Sequence, residues 1–276
     1  MIYEGDVYRP PSEAESLLVQ VTIGCSWNKC TFCDMYKNKK YRIRSLSEIM
    51  ADLREMERYR GRFRRIFLCD GDALALPTPA LEEILKEIRR LFPELEGVRA
   101  YASARDILRK EPRELKSLAG LGLDMAYLGL ESGSDKVLAA VNKGITRREM
   151  IGAAARLKEA GIKQSVSIIA GLGGEEMSEE HILQTAGALN EMQPEYLGLL
   201  VLHDGNDSRF FDLTGERDDF RLPSPRLVLA ETRLLLDRLE LKDCLFTSAH
   251  VSNYFNLKGR LSQEKQRLLA QIDSVA

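Results

Sequence analysis

Six apolar segments alternate with amphipathic helical patterns along most of this chain, and this alternation constrains the fold more than any other feature. Each segment has the length and the aliphatic content of a buried strand. Strands that alternate with helices predict a parallel sheet with right-handed crossovers, and therefore an α/β fold class. The predicted strands cover residues 17–23, 66–69, 98–103, 125–130, 164–170 and 196–202.

The length of the chain agrees with one barrel domain and a small extension. An α/β barrel typically occupies roughly 200–250 residues, and this chain has 276 residues. We therefore expect residues 1–207 to form a partial, six-stranded, TIM-like β/α barrel. Residues 208–276 contain two apolar helical patterns, so we expect them to form a short C-terminal helical extension that packs on the barrel.

Polar and glycine residues follow every predicted strand. In a parallel sheet the carboxyl ends of all strands lie on the same side, and that side carries the functional residues of such folds. We therefore expect these residues to converge on one site. In chain order they are three cysteines, Asp-Gly-Asp, Ser-Ala-Arg-Asp, Glu-Ser-Gly-Ser, Gly-Leu-Gly-Gly-Glu and His-Asp-Gly-Asn.

The three cysteines, Cys25, Cys30 and Cys33, lie in one short loop directly after the first predicted strand. Thiolates gathered in this way suit a soft metal centre, and four-iron clusters take cysteine ligands at such spacings. A structural zinc ion would require a fourth protein ligand, and disulfide bonds would leave an odd cysteine. A zinc site, or a non-catalytic iron–sulfur module for redox chemistry or sensing, stays an alternative.

The cysteine loop resembles the cluster-binding loop of radical S-adenosylmethionine (SAM) enzymes, in which three cysteines hold a [4Fe–4S] cluster. The most frequent spacing in that family has three residues between the first two cysteines, whereas four residues separate Cys25 from Cys30. The resemblance implies that Cys25, Cys30 and Cys33 are the cluster ligands and that SAM chelates the remaining iron. It also implies that Phe32 packs near the SAM adenine, with ordinary loop packing as the alternative.

The resemblance extends over roughly residues 16–205. After the cysteines, its most specific part is the segment 128–138 together with Asn142-Lys-Gly144. This part is similar to a group that includes oxygen-independent coproporphyrinogen dehydrogenases and the methylthiotransferases. By this resemblance Glu131 binds the ribose or the amino group of SAM, and a structural acid that caps the next helix is the alternative.

The resemblance assigns further SAM contacts to the turns after two other strands. The turn formed by Asp70, Gly71 and Asp72 would hold the SAM amino group through its backbone, because glycine permits a close approach to a ligand. A plain turn is the alternative. Gly171 and Gly173 follow the fifth predicted strand, and by resemblance the backbone of their turn meets the adenine.

Four other side chains are candidates for the site. Ser103 and Arg105 lie where they could reach the SAM ribose or carboxylate, since arginine pairs bidentately with carboxylates. His203 and His250 are candidates for proton transfer or substrate contact, because a histidine in a cleft can titrate near neutral pH. A surface arginine and hydrogen-bonded structural histidines are the alternatives.

The composition says little about the partner. Lys plus Arg is 40 and Asp plus Glu is 42, so the net charge of −2 gives no general attraction to nucleic acid. A basic stretch at residues 36–44 could bind a phosphate, a nucleic acid or an acidic redox partner, or be a solvated loop. No apolar run approaches the roughly 18 residues of a membrane helix, and clustered cysteines suit a reducing compartment. We therefore expect a cytoplasmic protein.

The resemblance implies an enzyme that takes an electron from flavodoxin or ferredoxin and cleaves SAM to methionine and a 5′-deoxyadenosyl radical. The radical would abstract hydrogen from a substrate that we expect to be a small molecule, because the chain has little length left for a further domain. Nucleic acid stays an alternative substrate. Oxidative decarboxylation of a porphyrin precursor is another alternative, which depends only on group-level similarity at the fourth strand.

Overall fold

The computed structural model of the chain describes residues 3–202 and 220–274. The chain divides into two compact units, each built from several segments. The predicted boundary between residues 207 and 208 lies outside the described residues. The first unit is Met1–Asn28, Asp34–Leu128 and Gly152–Gln164, and the second is Lys29–Cys33, Gly129–Ile151 and Ser165–Ala276.

The strands of the first unit form the predicted parallel arrangement. They are β1 (Leu17–Gln20), β2 (Thr22–Ile23), β3 (Arg42–Ile43), β4 (Arg65–Cys69), β5 (Gly97–Tyr101) and β6 (Leu123–Glu131), which begins in the first unit and ends in the second. β1, β4, β5 and β6 are hydrogen-bonded in that order and run parallel. β2, which was predicted as the end of the first strand, forms a small antiparallel pair with β3. β3 was not predicted.

The helices of the first unit begin at the capping residues that the sequence contains. They are α1 (Leu46–Met56), α2 (Thr78–Leu91), α3 (Ala104–Arg109) and α4 (Pro112–Gly120). Ser45 and Glu48 form a capping box, in which the Ser45 amide donates to Glu48 Oε2 at 2.7 Å. Ser103 caps α3, because its Oγ accepts from the Asp106 amide at 3.1 Å. The residues after β5 therefore form a helix.

The second unit continues the alternation of helices and strands. Its elements are α5 (Asp135–Ala140), α6 (Arg147–Ala160), β7 (Lys163–Ala170), α7 (Ser178–Met192), β8 (Tyr196–Val201), α8 (Pro225–Arg238), β9 (Leu245–Thr247), β10 (Lys258–Arg260) and α9 (Leu261–Asp273). α6 and β7 are divided between the units. β7, β8 and β9 are parallel neighbours, and β10 is antiparallel to β9. The C-terminal part therefore contains two short strands beside the predicted helices.

The apolar faces of these elements are buried as their periodicity predicts. The largest helix of the first unit, α2, buries Leu81, Ile84, Leu85, Ile88 and Leu91.

Within residues 3–202 and 220–274, no helix is both long and apolar enough to cross a membrane.

A buried carboxylate joins the N-terminal segment to three strands of the first unit. Glu13 is fully buried, and its Oε1 accepts a hydrogen bond from Arg99 Nη1 of β5 at 2.7 Å. Tyr127 Oη of β6 also donates to Glu13 Oε1, and Arg65 Nε of β4 lies 3.7 Å from Oε2. Removing one partner from such a buried ion pair costs much free energy, because the remaining charge stays buried without its partner.

Replacing Glu13 by Gln should therefore lower the free energy of unfolding by about 3 kcal/mol, because Arg99 and Arg65 would lose their fully buried counter-ion and keep only the more exposed Asp124 and Glu96. Urea denaturation followed by circular dichroism measures this difference. Glu15→Gln, at an exposed position two residues away, is the matched control and should change stability by less than about 0.5 kcal/mol. Equal losses in the two variants would contradict the assigned role of Glu13.

Candidate active site

The five cysteines fall into two classes by exposure. Cys25, Cys30 and Cys33 are partly exposed free thiols, whereas Cys69 and Cys244 are buried free thiols. Burial raises the pKa of Cys69 and raises that of Cys244 to about 12. The two buried cysteines therefore stay protonated at neutral pH, and the three loop cysteines are the ones accessible to a ligand.

Asp70 anchors the backbone that leads into the cysteine loop. Its carboxylate is fully buried, and Oδ2 accepts hydrogen bonds from the Gly24 amide at 2.9 Å and from Lys39 Nζ at 2.9 Å. Gln20 Nε2 donates to the same oxygen at 3.2 Å. These contacts fix the residue that directly precedes Cys25. The predicted contact of Asp70 with a cofactor stays a prediction.

Gly71 lies against the first cysteine, where no larger residue fits. A Cβ atom on Gly71 would lie 2.8 Å from Cys25 Cβ and 3.0 Å from Tyr36 Cε2, distances that atoms in contact do not reach. The Gly71 amide also donates to the Gly24 carbonyl oxygen at 3.2 Å. The turn after β4 therefore passes close to Cys25. The predicted contact of Gly71 with the SAM amino group stays a prediction.

Asp72 forms a buried carboxyl pair with Asp106, the last residue of the Ser-Ala-Arg-Asp segment, for which no individual role was predicted. The two side chains are hydrogen-bonded to each other. Asp72 also accepts from Ser26 Oγ at 2.7 Å and from the Ser103 amide at 3.2 Å. Burial, and then the neighbouring Asp106, raises the pKa of Asp72 to about 8. The pair therefore holds one proton at neutral pH.

Ser103 and Arg105 have contacts that explain their positions. Ser103 Oγ donates to Asp106 Oδ2 at 2.6 Å, so this hydroxyl belongs to the carboxyl pair as well as to the helix cap. The Arg105 guanidinium carbon lies 4.1 Å from the centroid of the Trp27 ring, which is a cation–π contact. Arg105 is thereby held beside the cysteine loop, and its predicted contact with a ligand carboxylate stays a prediction.

In the second unit, Lys143 connects the other two cysteines with the turn after β6. Its Nζ lies 3.1 Å from Glu131 Oε1 and 5.7 Å from the centroid of the Phe32 ring. Burial alone would lower the Lys143 pKa, but the charges of Glu131, Cys30 and Cys33 raise it overall. Lys143 is the charged residue that the sequence analysis missed, although it lies in a segment that carried the family resemblance.

The backbone at Glu131 is strained in a way that directs its side chain. Glu131 has a φ of +61°, a conformation that costs a non-glycine residue roughly 1–3 kcal/mol. A Cβ atom on Gly129 would overlap the Glu131 carboxylate, so the glycine leaves the space that this carboxylate occupies. Ser167 Oγ of β7 lies 3.4 Å from the second carboxylate oxygen. The carboxylate is therefore held by Lys143 on one side and by Ser167 on the other.

A buried histidine supports the turn after β6 from α7. His181 Nε2 lies 3.0 Å from the Ile169 carbonyl oxygen, and Nδ1 lies 2.8 Å from Ser132 Oγ. Because a carbonyl oxygen only accepts, the Nε2 atom carries the proton and Nδ1 accepts from Ser132. Burial lowers the pKa of His181 to about 4, so the ring is neutral. The Gly133 amide donates to Thr185 Oγ1 of the same helix at 2.8 Å.

The glycines after β7 lie in a turn without space for side chains. Gly171 has a φ of +83°, and a Cβ atom there would overlap the Pro223 ring. A Cβ atom on Gly173 would lie 2.9 Å from the Met177 carbonyl oxygen and 3.0 Å from His181 Cβ. Both positions therefore require glycine, and their predicted contact with adenine stays a prediction.

Of the two predicted catalytic histidines, the structure describes only His250. His203 lies outside the described residues. His250 is partly buried, and its Nδ1 accepts from the Ser252 amide at 3.2 Å and contacts Ser252 Oγ at 2.8 Å. Burial lowers the pKa of His250. One ring nitrogen therefore belongs to a local turn, and a catalytic role for either histidine stays a prediction.

Three of the five basic residues in the stretch at residues 36–44 pair with acidic side chains within the chain. Its pairs are Lys39 with Asp70 at 2.9 Å, Arg42 with Glu4 at 2.6 Å and Glu48 at 3.4 Å, and Arg44 with Asp52 at 2.8 Å. Paired charges of this kind give a weaker positive field than the sequence alone indicates. The stretch is therefore a poorer phosphate-binding surface than its composition suggests.

The donor set suits an iron–sulfur cluster. Across the part of the chain that the structure describes, no group of three or more His, Cys, Asp or Glu side chains is already gathered around one metal position. The accessible cysteines nevertheless supply three thiolate ligands on one loop, and thiolates are the ligands of four-iron clusters. Cys25 also lies against a turn that requires glycine, so ligand and backbone can approach each other there.

Comparison with known proteins identifies a family and a similar curated protein. The family described as the radical SAM superfamily matches residues 19–186, more than half of the chain. The tRNA-2-methylthio-N(6)-dimethylallyladenosine synthase of Prosthecochloris aestuarii (strain DSM 271 / SK 413) is 27% identical over 204 residues, which are 70% of this chain and 44% of that protein. The chain thus spans less than half the length of this curated relative.

Two solved structures are similar in fold. Coproporphyrinogen III oxidase from Escherichia coli, a radical SAM enzyme, aligns with a TM-score of 0.61 and 20% identity over 81% of this chain and 52% of that chain. Methylornithine synthase aligns with a TM-score of 0.57 and 13% identity over 94% of this chain and 81% of that chain. Such neighbours are TIM-like partial barrels, and the predicted α/β fold class is confirmed.

The carboxyl pair predicts a pH-dependent effect of replacing Asp72 by Asn. Between the unfolded pKa near 4 and the folded pKa of about 8, native Asp72 keeps a proton that the unfolded chain releases. The free energy of unfolding of the wild type should therefore fall as pH rises through this range, and an asparagine does not titrate. The stability of the variant relative to wild type should rise by up to about 1.4 kcal/mol from pH 6 to pH 7.

Urea denaturation at pH 6, 7, 8 and 9 measures this difference, which should level off above pH 8. The exposed Asp6 provides the control: Asp6→Asn should give a difference that does not change with pH. A difference for Asp72→Asn that stays constant from pH 6 to pH 9 would show that the pair does not hold the proton.

The ion pair in the second unit predicts that Lys143→Met lowers the free energy of unfolding by about 3 kcal/mol, because the largely buried Glu131 would lose its counter-ion. The double variant with Glu131→Gln should recover part of this loss, since no unpaired carboxylate remains. A double-mutant cycle measured by urea denaturation gives the coupling. Strictly additive effects would contradict the pairing.

Proposed function

Because the chain belongs to the radical SAM superfamily, we propose that it is an enzyme that removes a hydrogen atom from a small-molecule substrate, with Cys25, Cys30 and Cys33 as the ligands of its cluster. Enzymes of this superfamily use a [4Fe–4S] cluster and SAM. When bound, these two cofactors supply the 5′-deoxyadenosyl radical that abstracts the hydrogen atom. The chain itself binds SAM, excludes water and places the substrate.

One observation carries this assignment to particular residues. Lys143 pairs with Glu131 and lies over the ring of Phe32, which stands between Cys30 and Cys33 in the chain. Residues that were selected separately, as cluster ligands and as SAM contacts, are therefore neighbours in the second unit. The positive charge of Lys143 stabilises the two thiolates that a cluster requires.

In the first unit, the turn after β4 suits an ammonium group. Gly71 exposes backbone close to Cys25, and Asp72 lies next in the chain with one proton shared with Asp106. A bound ammonium group favours the ionised form of a carboxyl. We therefore assign the SAM amino group to this turn, with Asp72 releasing its proton on binding. Arg105 is assigned to the SAM carboxylate, and Ser103 holds the carboxyl pair in place.

In the second unit, Glu131 is assigned to the SAM ribose, because its carboxylate is directed by a strained backbone and by Lys143. Phe32, Gly171 and Gly173 are assigned to the adenine. An aromatic ring offers a stacking surface to a base, and the two glycines leave backbone groups without covering side chains.

The substrate class rests on the charge of the basic stretch. Since three of its five basic residues, Lys39, Arg42 and Arg44, have acidic partners, this surface offers a weaker positive field to a row of nucleic-acid phosphates than its composition indicates. A small molecule is therefore favoured over tRNA, on which the relative from Prosthecochloris aestuarii acts by its name. Flavodoxin or ferredoxin is the proposed electron donor.

Formation of 5′-deoxyadenosine tests the proposed chemistry. The protein is reconstituted anaerobically with iron and sulfide, reduced with dithionite and mixed with SAM. The wild type should form 5′-deoxyadenosine, and Cys30→Ala should form none and bind less iron, because one cluster ligand is missing. Cys244→Ala is the matched control, since this cysteine is buried and is not one of the three loop cysteines, and it should keep both the iron and the activity.

Two outcomes would reject the enzyme assignment. Zinc bound without sulfide would indicate a structural metal site. A cluster whose EPR spectrum does not respond to SAM, together with no cleavage, would support a non-catalytic redox or sensing module. A spectrum that SAM perturbs, without cleavage, would show SAM binding and direct the search to the substrate.

A further inference from the structure

A buried carboxylate from the C-terminal helix α8 reaches the turn after β7. Glu231 is 2% exposed, and its Oε2 accepts a hydrogen bond from the Gly171 amide at 2.6 Å. Its Oε1 accepts from Ser178 Oγ, at the start of α7, also at 2.6 Å. One side chain therefore satisfies the first amide of the turn and the first hydroxyl of the following helix.

The chain that leads into α8 encloses the same turn. Pro223 occupies the space where a side chain on Gly171 would lie, and the Phe220 ring lies 3.0 Å from the position of a Cβ atom on Gly174. The left-handed backbone of Gly171, with a φ of +83°, is thus held between Pro223 and Glu231. Residues 220–231 determine the shape of a turn that is distant from them in sequence.

We propose that Glu231 is a positioning residue, which holds the Gly171 turn in the conformation that binds the adenosine part of SAM. This role presupposes the proposed function, in which the turn contacts adenine. Glu231 does not touch the ligand itself. It fixes the backbone amide that orients the turn. A site that is already ordered before binding holds its ligand more tightly, because less conformational entropy is lost on binding.

The carboxylate is suited to this role in a way that an amide is not. The two oxygens of an ionised glutamate accept from two donors, whereas glutamine has one oxygen and would present an NH2 group to the other donor. The misplaced NH2 group would face either the Gly171 amide or the Ser178 hydroxyl. Burial raises the pKa of Glu231 to about 7, against the two hydrogen bonds, so the ionised acceptor predominates at pH 8.

The test compares two ligands that correspond to the two parts of SAM. The cluster-loaded protein is titrated anaerobically at pH 8 with 5′-deoxyadenosine and, separately, with methionine, by isothermal titration calorimetry. In Glu231→Gln, the affinity for 5′-deoxyadenosine should fall about tenfold, as expected for one buried hydrogen bond. The affinity for methionine should not change, because methionine does not contact the Gly171 turn.

Thr232→Val is the matched control. Thr232 is fully buried on the same helix, and its hydroxyl donates only within the helix to the Val228 carbonyl oxygen at 2.8 Å. This variant tests a general loss of stability and should keep wild-type affinity for both ligands. Equal losses for both ligands in Glu231→Gln, or the same selective loss in Thr232→Val, would overturn the positioning role.

Unchanged 5′-deoxyadenosine binding in Glu231→Gln would also overturn it, while the proposed function would stand. If the wild type binds neither ligand, the proposed function fails and the positioning role fails with it. Hydrogen exchange of the wild type gives a second measurement that requires no variant. Binding of 5′-deoxyadenosine should slow exchange both in the Gly171 turn and in α8 around Glu231, and no change in either segment would overturn the role.

Discussion

Buried carboxylates behind the turns are the interaction on which the candidate site depends. A turn at the end of a buried strand exposes backbone amides that require acceptors, because an unpaired buried amide costs free energy. Asp70 supplies the acceptor for the Gly24 amide before the cysteine loop, and Glu231 supplies it for the Gly171 amide after β7. A carboxylate accepts several hydrogen bonds at once, so one side chain can fix two chain segments that are far apart in sequence.

The same arrangement makes the site sensitive to charge. Asp72 shares a proton with Asp106, whereas Glu131 is neutralised by Lys143. The two acids therefore have opposite electrostatic surroundings, because one has an acidic neighbour and the other a basic one. The electrostatic asymmetry comes from the neighbours and not from the residue types.

The sequence predicted the elements well because their signals are local. The periodicity of α2 and the capping box of Ser45 and Glu48 each act within a few residues, and both are present in the structure. The sequence placed Asp106 among the polar residues that follow a strand but did not identify its pairing with Asp72, because the two positions are far apart in the chain. It also missed Lys143, since the contacts of Lys143 with Glu131 and Phe32 join positions that the chain alone does not relate.

The sequence by itself determined the strand–helix alternation, the family and the three cysteines on one loop. Apolar periodicity and motif spacing depend only on residues that are close together in the chain. Tertiary structure alone decided the protonation of the acid pair, the partial neutralisation of the basic stretch and the contacts of Glu231. These properties depend on burial and on distances between segments far apart in the chain. A pKa near 8 for Asp72 requires Asp106 beside it and no water, and only the folded chain supplies both.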